Sequence, residues 1–244
     1  MIRYRPQYAF KLDISKCFDR IDHQALLAKM QAPPVSRRQV KAWLKAGILE
    51  DDHLSATTAG TPQGGSGSPL LALIALHGME EAITRVYPRT RVIVYADDGV
   101  VLHEDRQVLE HCQERLKTWL AGRGLSLNEA KGSIGHTLEG DQRGFEFLGF
   151  TIGQYRVGKH QSGKGPGGHG RLGFKTLIKP AKVNVKDHLA ELGRIIACGK
   201  ALPQGLLIHQ LNPKIRGWAN DYRHVVGRAV YERLDFLIWE KLRY

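Results

Sequence analysis

Tyr95-Ala96-Asp97-Asp98 lies between two runs rich in β-branched residues, Arg91-Val92-Ile93-Val94 and Gly99-Val100-Val101-Leu102. That pattern predicts a hairpin with two adjacent carboxylates at its tip. Neighbouring carboxylates repel each other unless positive charge stands beside them. Hard divalent cations answer that need, and Mg²⁺ in particular keeps substrate phosphates among its ligands. A third acid lies upstream. Ala9-Phe10-Lys11-Leu12-Asp13-Ile14-Ser15 alternates as a half-buried strand, which puts Asp13 at a strand end. Asp13, Asp97 and Asp98 together suit a pair of metal ions clamping a phosphoryl transfer. Asp19 and Asp22 read as surface charge.

A second candidate site is the loop Gly60-Thr61-Pro62-Gln63-Gly64-Gly65-Ser66-Gly67. Glycines let a backbone approach a ligand closely. The loop feeds an apolar run, Leu70 to Met79, with Ser68 expected as N-cap and Pro69 in the first helical position. The apolar run is core packing, and only the loop is a binding candidate.

In order, Lys11-to-His23, Gly60-to-Leu71 and Tyr95-to-Asp98 resemble the A, B and C blocks of a reverse transcriptase palm. Leu125-Ser126-Leu127-Asn128-Glu129-Ala130-Lys131 is similar to that family's D block, and Phe145-Glu146-Phe147-Leu148-Gly149-Phe150 to the strand block leading to its primer grip. The Pro62-Gln63-Gly64-Gly65 form points to group II intron-encoded reverse transcriptase/maturases. Leu211 to Tyr222 resembles their maturase-specific thumb, or domain X. Two positions depart from the pattern: Gly67 replaces a larger apolar residue, and Gly132 replaces a Thr after Lys131.

The resemblance implies templated nucleotidyl transfer with two Mg²⁺ ions, Mn²⁺ being a substitute. Asp13 and Asp97 would be ligands, with the Ile14 carbonyl as a further one and Asp98 in support. Phe18 falls where the family places an aromatic that blocks a ribose 2′-hydroxyl, and core packing is the other reading of that ring. Pro62, Gln63 and Gly64 would line the nascent base pair. Lys131 would face the pyrophosphate, or else be a surface lysine. The implied partners are intron RNA, an RNA template, a DNA primer and dNTPs, in a bacterial or organellar cytoplasm.

Composition is consistent with this. The 244 residues are enough for one large domain or two small ones. No apolar stretch is long enough to span a bilayer, and Met1-Ile2-Arg3-Tyr4 opens no signal-peptide pattern. Cys17, Cys112 and Cys198 are scattered, which excludes a zinc set or disulfide framework and suits a reducing compartment. The eleven histidines lack ligand spacing. Charge is polarised. Residues 1–150 hold 19 Lys/Arg against 18 Asp/Glu, a net of +1, and residues 151–244 hold 17 against 6, a net of +11. A neutral half joined to a basic half fits a polymer-phosphate binder better than a membrane surface.

The expected architecture is α+β: a palm over 1–152, with an antiparallel sheet and helices on one face, then a small all-α thumb over 180–244. Helices are expected near 23–30, 36–47 (Trp43 and Leu44 apolar), 69–86 and 105–121. Strands near 131–137 and 145–152 are expected to complete the palm sheet. Residues 153–179, rich in glycine and free of acid, are expected as a flexible basic linker that nucleic acid orders. Helices near 183–198, 204–219 and 223–243 follow. Arg171, Lys175, Lys214, Arg216, Arg223 and Arg228 are the candidate backbone contacts for nucleic acid. Only about eight residues precede the Asp13 strand, so the family's fingers region is expected to be missing, truncated or supplied by another chain. Two readings stay open: an RNA-directed DNA polymerase, and an incomplete or non-catalytic maturase that binds intron RNA to promote splicing.

Overall fold

The computed structural model describes residues 2–50, 53–55, 57–61, 65–140 and 143–243. Contacts divide the chain into two units, Gln7–His136 and Thr137–Tyr244 with Met1–Pro6.

The first unit runs β1 (Tyr8–Asp13), α1 (Cys17–Arg20), α2 (His23–Lys29), α3 (Pro34–Lys45), β2 (Ile48–Glu50), β3 (His53–Ser55), α4 (Ser68–Leu76), α5 (Met79–Thr84), β4 (Arg91–Tyr95), β5 (Asp98–His103), α6 (Arg106–Ala121) and β6 (Ser133–His136). Four strands form an antiparallel sheet in the order β4-β5-β1-β6, and β2 pairs with β3 separately. Alternation along β1 buries Phe10 and Leu12, which join Val92 and Val101 in one core with the helices. Helix α6 contributes Leu109, Cys112, Leu116 and Leu120, a stripe at helical spacing. Its N-cap is Asp105, whose carboxylate accepts from the Gln107 amide at 2.8 Å.

Three local expectations are corrected. The helix expected over 69–86 is two helices, because Gly78 takes φ 82° and ends the first run. Lys29 Nζ closes that break from outside, donating to the Ala75 carbonyl at 3.0 Å and to the His77 carbonyl. The N-cap of α4 is Gly67, with Ser68 already helical. Trp43 is exposed on α3 while Leu44 beside it is buried, so the apolar stripe there runs through Val40 and Leu44.

The second unit begins with β7 (Phe145–Phe147), β8 (Phe150–Arg156) and β9 (Phe174–Pro180), an antiparallel sheet in that order. Residues 145–152, expected as one strand of the sheet of β1, instead form a hairpin, β7 pairing with the start of β8 and β8 pairing in turn with β9. Residues 153–179 hold most of β8, a hydrogen-bonded hairpin loop and nearly all of β9. The Gln154 side-chain amide donates to the carbonyls of Ile2 and Arg5, which ties the N-terminal segment to this sheet.

Helices α7 (Lys182–Cys198), α8 (Gln204–Tyr222) and α9 (Arg228–Arg243) complete the unit. Leu192, Ile196 and Leu211 form its helical core. Trp218 stacks on His188 with ring centres 5.0 Å apart and meets Tyr222 at 4.5 Å and Tyr231 at 5.7 Å. Tyr222 reaches the small sheet as well: its ring packs edge-on against Phe150 and its hydroxyl donates to the Gly149 carbonyl. Trp218, Tyr222 and Tyr231 thus build the bundle, whereas Phe236 and Trp239 are exposed. Among the described residues no helix is long and apolar enough to cross a membrane.

Cys17 and Cys112 are buried and Cys198 is exposed. Burial, reinforced by the negative charge of Asp97, pushes the Cys17 thiol up to about 11. The reactive form is the thiolate. At pH 8, iodoacetamide is expected to label Cys198 in the native protein. Labelling of Cys17 should run at least about 100-fold slower than after denaturation. Peptide mass spectrometry reads this directly, and comparable native and denatured rates at Cys17 would contradict the burial.

Candidate active site

Asp13 closes β1 and Asp98 opens β5, and the antiparallel register sets them directly opposite each other. Directly opposed residues on an antiparallel pair point to the same face. Asp97 stands next to Asp98 in the two-residue turn joining β4 to β5, and its carbonyl accepts from the Ile14 amide at 3.2 Å. The first residue of that turn, Ala96, has φ 53°, a left-handed conformation that two-residue hairpins need and a methyl side chain resists. All three carboxylates are half-buried.

A third segment braces them. The Ser15 amide donates to the Ser126 carbonyl at 2.9 Å, and Ile14 bridges Leu127. Asn128 then holds Asp13 twice, its amide donating to the Asp13 carbonyl at 2.8 Å and its side-chain Nδ2 to Asp13 Oδ2 at 2.8 Å. Lys131 Nζ lies 3.5 Å from the same oxygen. The charge is unevenly balanced. Burial pushes the Asp98 carboxyl above its usual range, and Asp97 and then Asp13 push it the same way, against Lys11 and Lys131. The donor set is carboxylate oxygen, the chemistry of hard divalent cations, and the crowding at Asp98 is what such an ion would relieve. Among the described residues no three His, Cys, Asp or Glu side chains are arranged as a cation site on their own.

Phe18, on α1, does two things at once. It packs against the core of the first unit, and it lines a cleft of about 400 Å³ with Pro69, Ala72, Leu73 and Leu76 of α4 and Val94 and Ala96 of the hairpin. Its backbone is held by the start of the glycine loop: the Thr61 amide donates to the Phe18 carbonyl at 2.6 Å and the Gly60 amide to the Ile21 carbonyl at 2.8 Å. Gly60 has φ 82°, and a Cβ there would stand 2.6 Å from the Asp19 backbone, so this close approach requires glycine. Pro62, Gln63 and Gly64 lie outside the described residues.

Asp13, Ile14, Asp97, Asp98 and Lys131 are therefore brought together, with Phe18 lining the cleft that reaches Ala96. The six basic candidates belong to the second unit and differ among themselves. Lys214 pairs with Glu191 at 2.7 Å and Arg228 with Glu232 at 2.9 Å. The Arg223 guanidinium lies 3.1 Å from the His224 ring. Arg171, Lys175 and Arg216 are exposed with no ion pair among the described residues. Asn128 was not singled out from the sequence, where an asparagine after Leu127 reads as an ordinary turn residue; only the register of its segment against Ile14 shows its partner.

Residues 3–152 match the family described as reverse transcriptase (RNA-dependent DNA polymerase), and residues 185–244 match the group II intron, maturase-specific domain. A stretch of 78 residues is 42% identical to the group II intron-encoded protein LtrA of Lactococcus lactis subsp. cremoris, covering 30% of this chain and 13% of that protein. Another of 74 residues is 38% identical to an uncharacterized 91 kDa protein in cob intron of Schizosaccharomyces pombe, covering 29% of this chain and 9% of that one. Among solved structures, telomerase from Candida albicans in complex with the TWJ fragment of telomeric RNA aligns with a TM-score of 0.48 at 12% identity, over 98% of this chain and 40% of that one.

The two partners of Asp13 should differ in weight. Asn128→Ala removes a donor to a half-buried carboxylate and is expected to cost about 1.5–3 kcal/mol in urea unfolding. Lys131→Met removes a pair whose lysine is 65% exposed and should change stability by less than about 1 kcal/mol. Equal costs would mean that Asn128 does not brace the site.

Proposed function

This chain belongs to the reverse transcriptase family and carries a group II intron maturase-specific domain, and on that premise we propose that it is the RNA-directed DNA polymerase of a group II intron, working by two-metal nucleotidyl transfer and binding intron RNA as a maturase. The observation that carries the reading is the cross-strand register that sets Asp13 opposite Asp98, with Asp97 adjacent. A protein that only binds RNA gains nothing from gathering carboxylates where phosphate must come.

Asp13, Asp97 and Asp98, with the Ile14 carbonyl, are the residues that would hold two Mg²⁺ ions, or Mn²⁺ in their place. When bound, such ions lower the pKa of the primer 3′-hydroxyl and stabilise charge on the transferring phosphoryl group. The residues of the chain do the positioning. Asn128 holds the Asp13 carboxylate in one orientation. Phe18 walls the cleft beside the hairpin, where its ring would exclude a ribose 2′-hydroxyl and so favour deoxynucleotides. Pro62, Gln63 and Gly64 would line the nascent base pair. Lys131 offers a positive charge next to Asp13 for the pyrophosphate as it leaves. In the second unit Arg171, Lys175, Lys214, Arg216, Arg223 and Arg228 would bind the phosphate backbone of template, primer or intron RNA.

The second reading, a maturase that promotes splicing without synthesis, is supported by the net charge of +11 over residues 151–244. Primer extension on an RNA template with dNTPs and Mg²⁺ separates the two. Wild-type extension should fall by at least on the order of 10²–10³-fold in Asp97→Ala/Asp98→Ala, while salt-titrated RNA binding stays unchanged. Tight RNA binding with no extension by the wild-type chain would overturn the polymerase reading and leave the maturase one.

A further inference from the structure

Residues 157–173, between β8 and β9, form a built arm. The Val157 amide donates to the Gly173 carbonyl at 3.1 Å, Gly163 to Phe174 at 3.0 Å, Leu172 to Gly163 at 3.0 Å and Gly165 to Gly170 at 3.3 Å. Ser162 Oγ pins the base of the arm, accepting from the Gly173 amide at 2.8 Å. Near the tip, Lys164 and Arg171 are antiparallel bridge partners. Directly opposed residues on such a pair share a face, and like charges placed so destabilise the ladder. Both side chains are exposed, and neither has an ion pair among the described residues. No acid occurs between Phe147 and Lys186, a stretch that also carries Lys159, Lys175, Lys179 and Lys182. Two cations are thus held side by side on an ordered scaffold with nothing in the arm to neutralise them.

The arm also limits what can neutralise them. Its tip, Gly165-Pro166-Gly167-Gly168-His169-Gly170, is slim, and the arm from Val157 to Gly173 contains no Phe, Tyr or Trp. Proteins that hold unpaired strands depend on aromatic platforms for the bases. A-form duplexes instead offer a wide, shallow minor groove edged by phosphates and are recognised by shape and backbone. We propose that the arm of residues 157–173 is a duplex-binding element, its glycine tip lying in the minor groove of an A-form helix and Lys164 and Arg171 meeting the bordering phosphates. This inference rests on the nucleic-acid reading above and deepens it by naming double-stranded A-form nucleic acid as the ligand. An RNA helix and an RNA–DNA hybrid share that chemistry.

The test compares the wild-type chain with Lys164→Gln/Arg171→Gln and with the charge-preserving Lys164→Arg/Arg171→Lys. Fluorescence anisotropy is read across a KCl series on an RNA duplex, an RNA–DNA hybrid and single-stranded RNA of equal length. The neutral variant is expected to lose about two from the slope of log K against log salt on a duplex, with the single-strand slope unchanged and the charge-preserving variant like wild type. Loss on the hybrid assigns the arm to template and primer, and loss on the RNA duplex assigns it to folded RNA; either supports the proposal. An unaltered duplex slope, or an equal loss on single strands, overturns the arm while leaving the nucleic-acid reading intact. A wild-type chain that binds none of the three brings down that reading and the arm with it.

Discussion

The register between β1 and β5 governs the rest of the first unit. Phe10 and Leu12 point into the core with Val101, and by the two-residue alternation of a strand Lys11 and Asp13 must point to the opposite face with Asp98. A slip of one residue would drive Asp13 into the apolar core and take Phe10 and Leu12 out of it. Hydrophobic burial on one face of the sheet thereby decides which carboxylates meet on the other. The acids are gathered by a force that has nothing to do with their charge, and their mutual repulsion is carried by the sheet.

That repulsion explains the surroundings of the site. The segment from Ser126 to Lys131 runs beside the end of β1 and presents an amide, a side-chain donor and an ammonium to Asp13. Lys11 and Lys131 oppose the upward push that burial and the other carboxylates exert on Asp98. Gly60 lets the loop lie against the backbone of α1, the helix that carries Phe18 into the cleft. The site is thus assembled from pieces distant in sequence, each anchored by backbone hydrogen bonds to an element whose other face is buried.

In the second unit the corresponding anchor is Tyr222. Its ring meets Trp218 and Phe150 and its hydroxyl bonds the turn between β7 and β8, so helices α7 and α8 and the small sheet share one aromatic centre. With Trp218, Tyr222 and Tyr231 committed to packing, the capacity of this unit for polyanions rests on its cations. These fall into two groups. Lys214 and Arg228 already spend their charge on local carboxylates, whereas Lys164 and Arg171 sit on a hydrogen-bonded ladder with no such partner among the described residues.

Much of this was legible in the residues alone. The alternation of Ala9 to Ser15, the β-branched runs around Tyr95-Ala96-Asp97-Asp98 and the apolar stripe of α6 are local signals, since strand and helix periodicity depend only on neighbouring side chains. Asp13, Asp97 and Asp98 could be singled out because ordered blocks carry family resemblance. Other features had no local signal. The break at Gly78, the exposure of Trp43 and the folding of residues 145–152 into a hairpin beside β9 depend on which surface each segment finds. The arm over 157–173 looked like a tether because glycine and charge usually mean solvated chain, yet backbone hydrogen bonds between residues up to sixteen apart order it. Asn128 acquires its role only when its segment lies beside Asp13. The sequence by itself determined most of the elements, because periodicity acts along the chain, and its ordered blocks singled out the acids. Only the tertiary structure decided who braces those acids and which cations stand unneutralised, because hydrogen bonds and charge act through space.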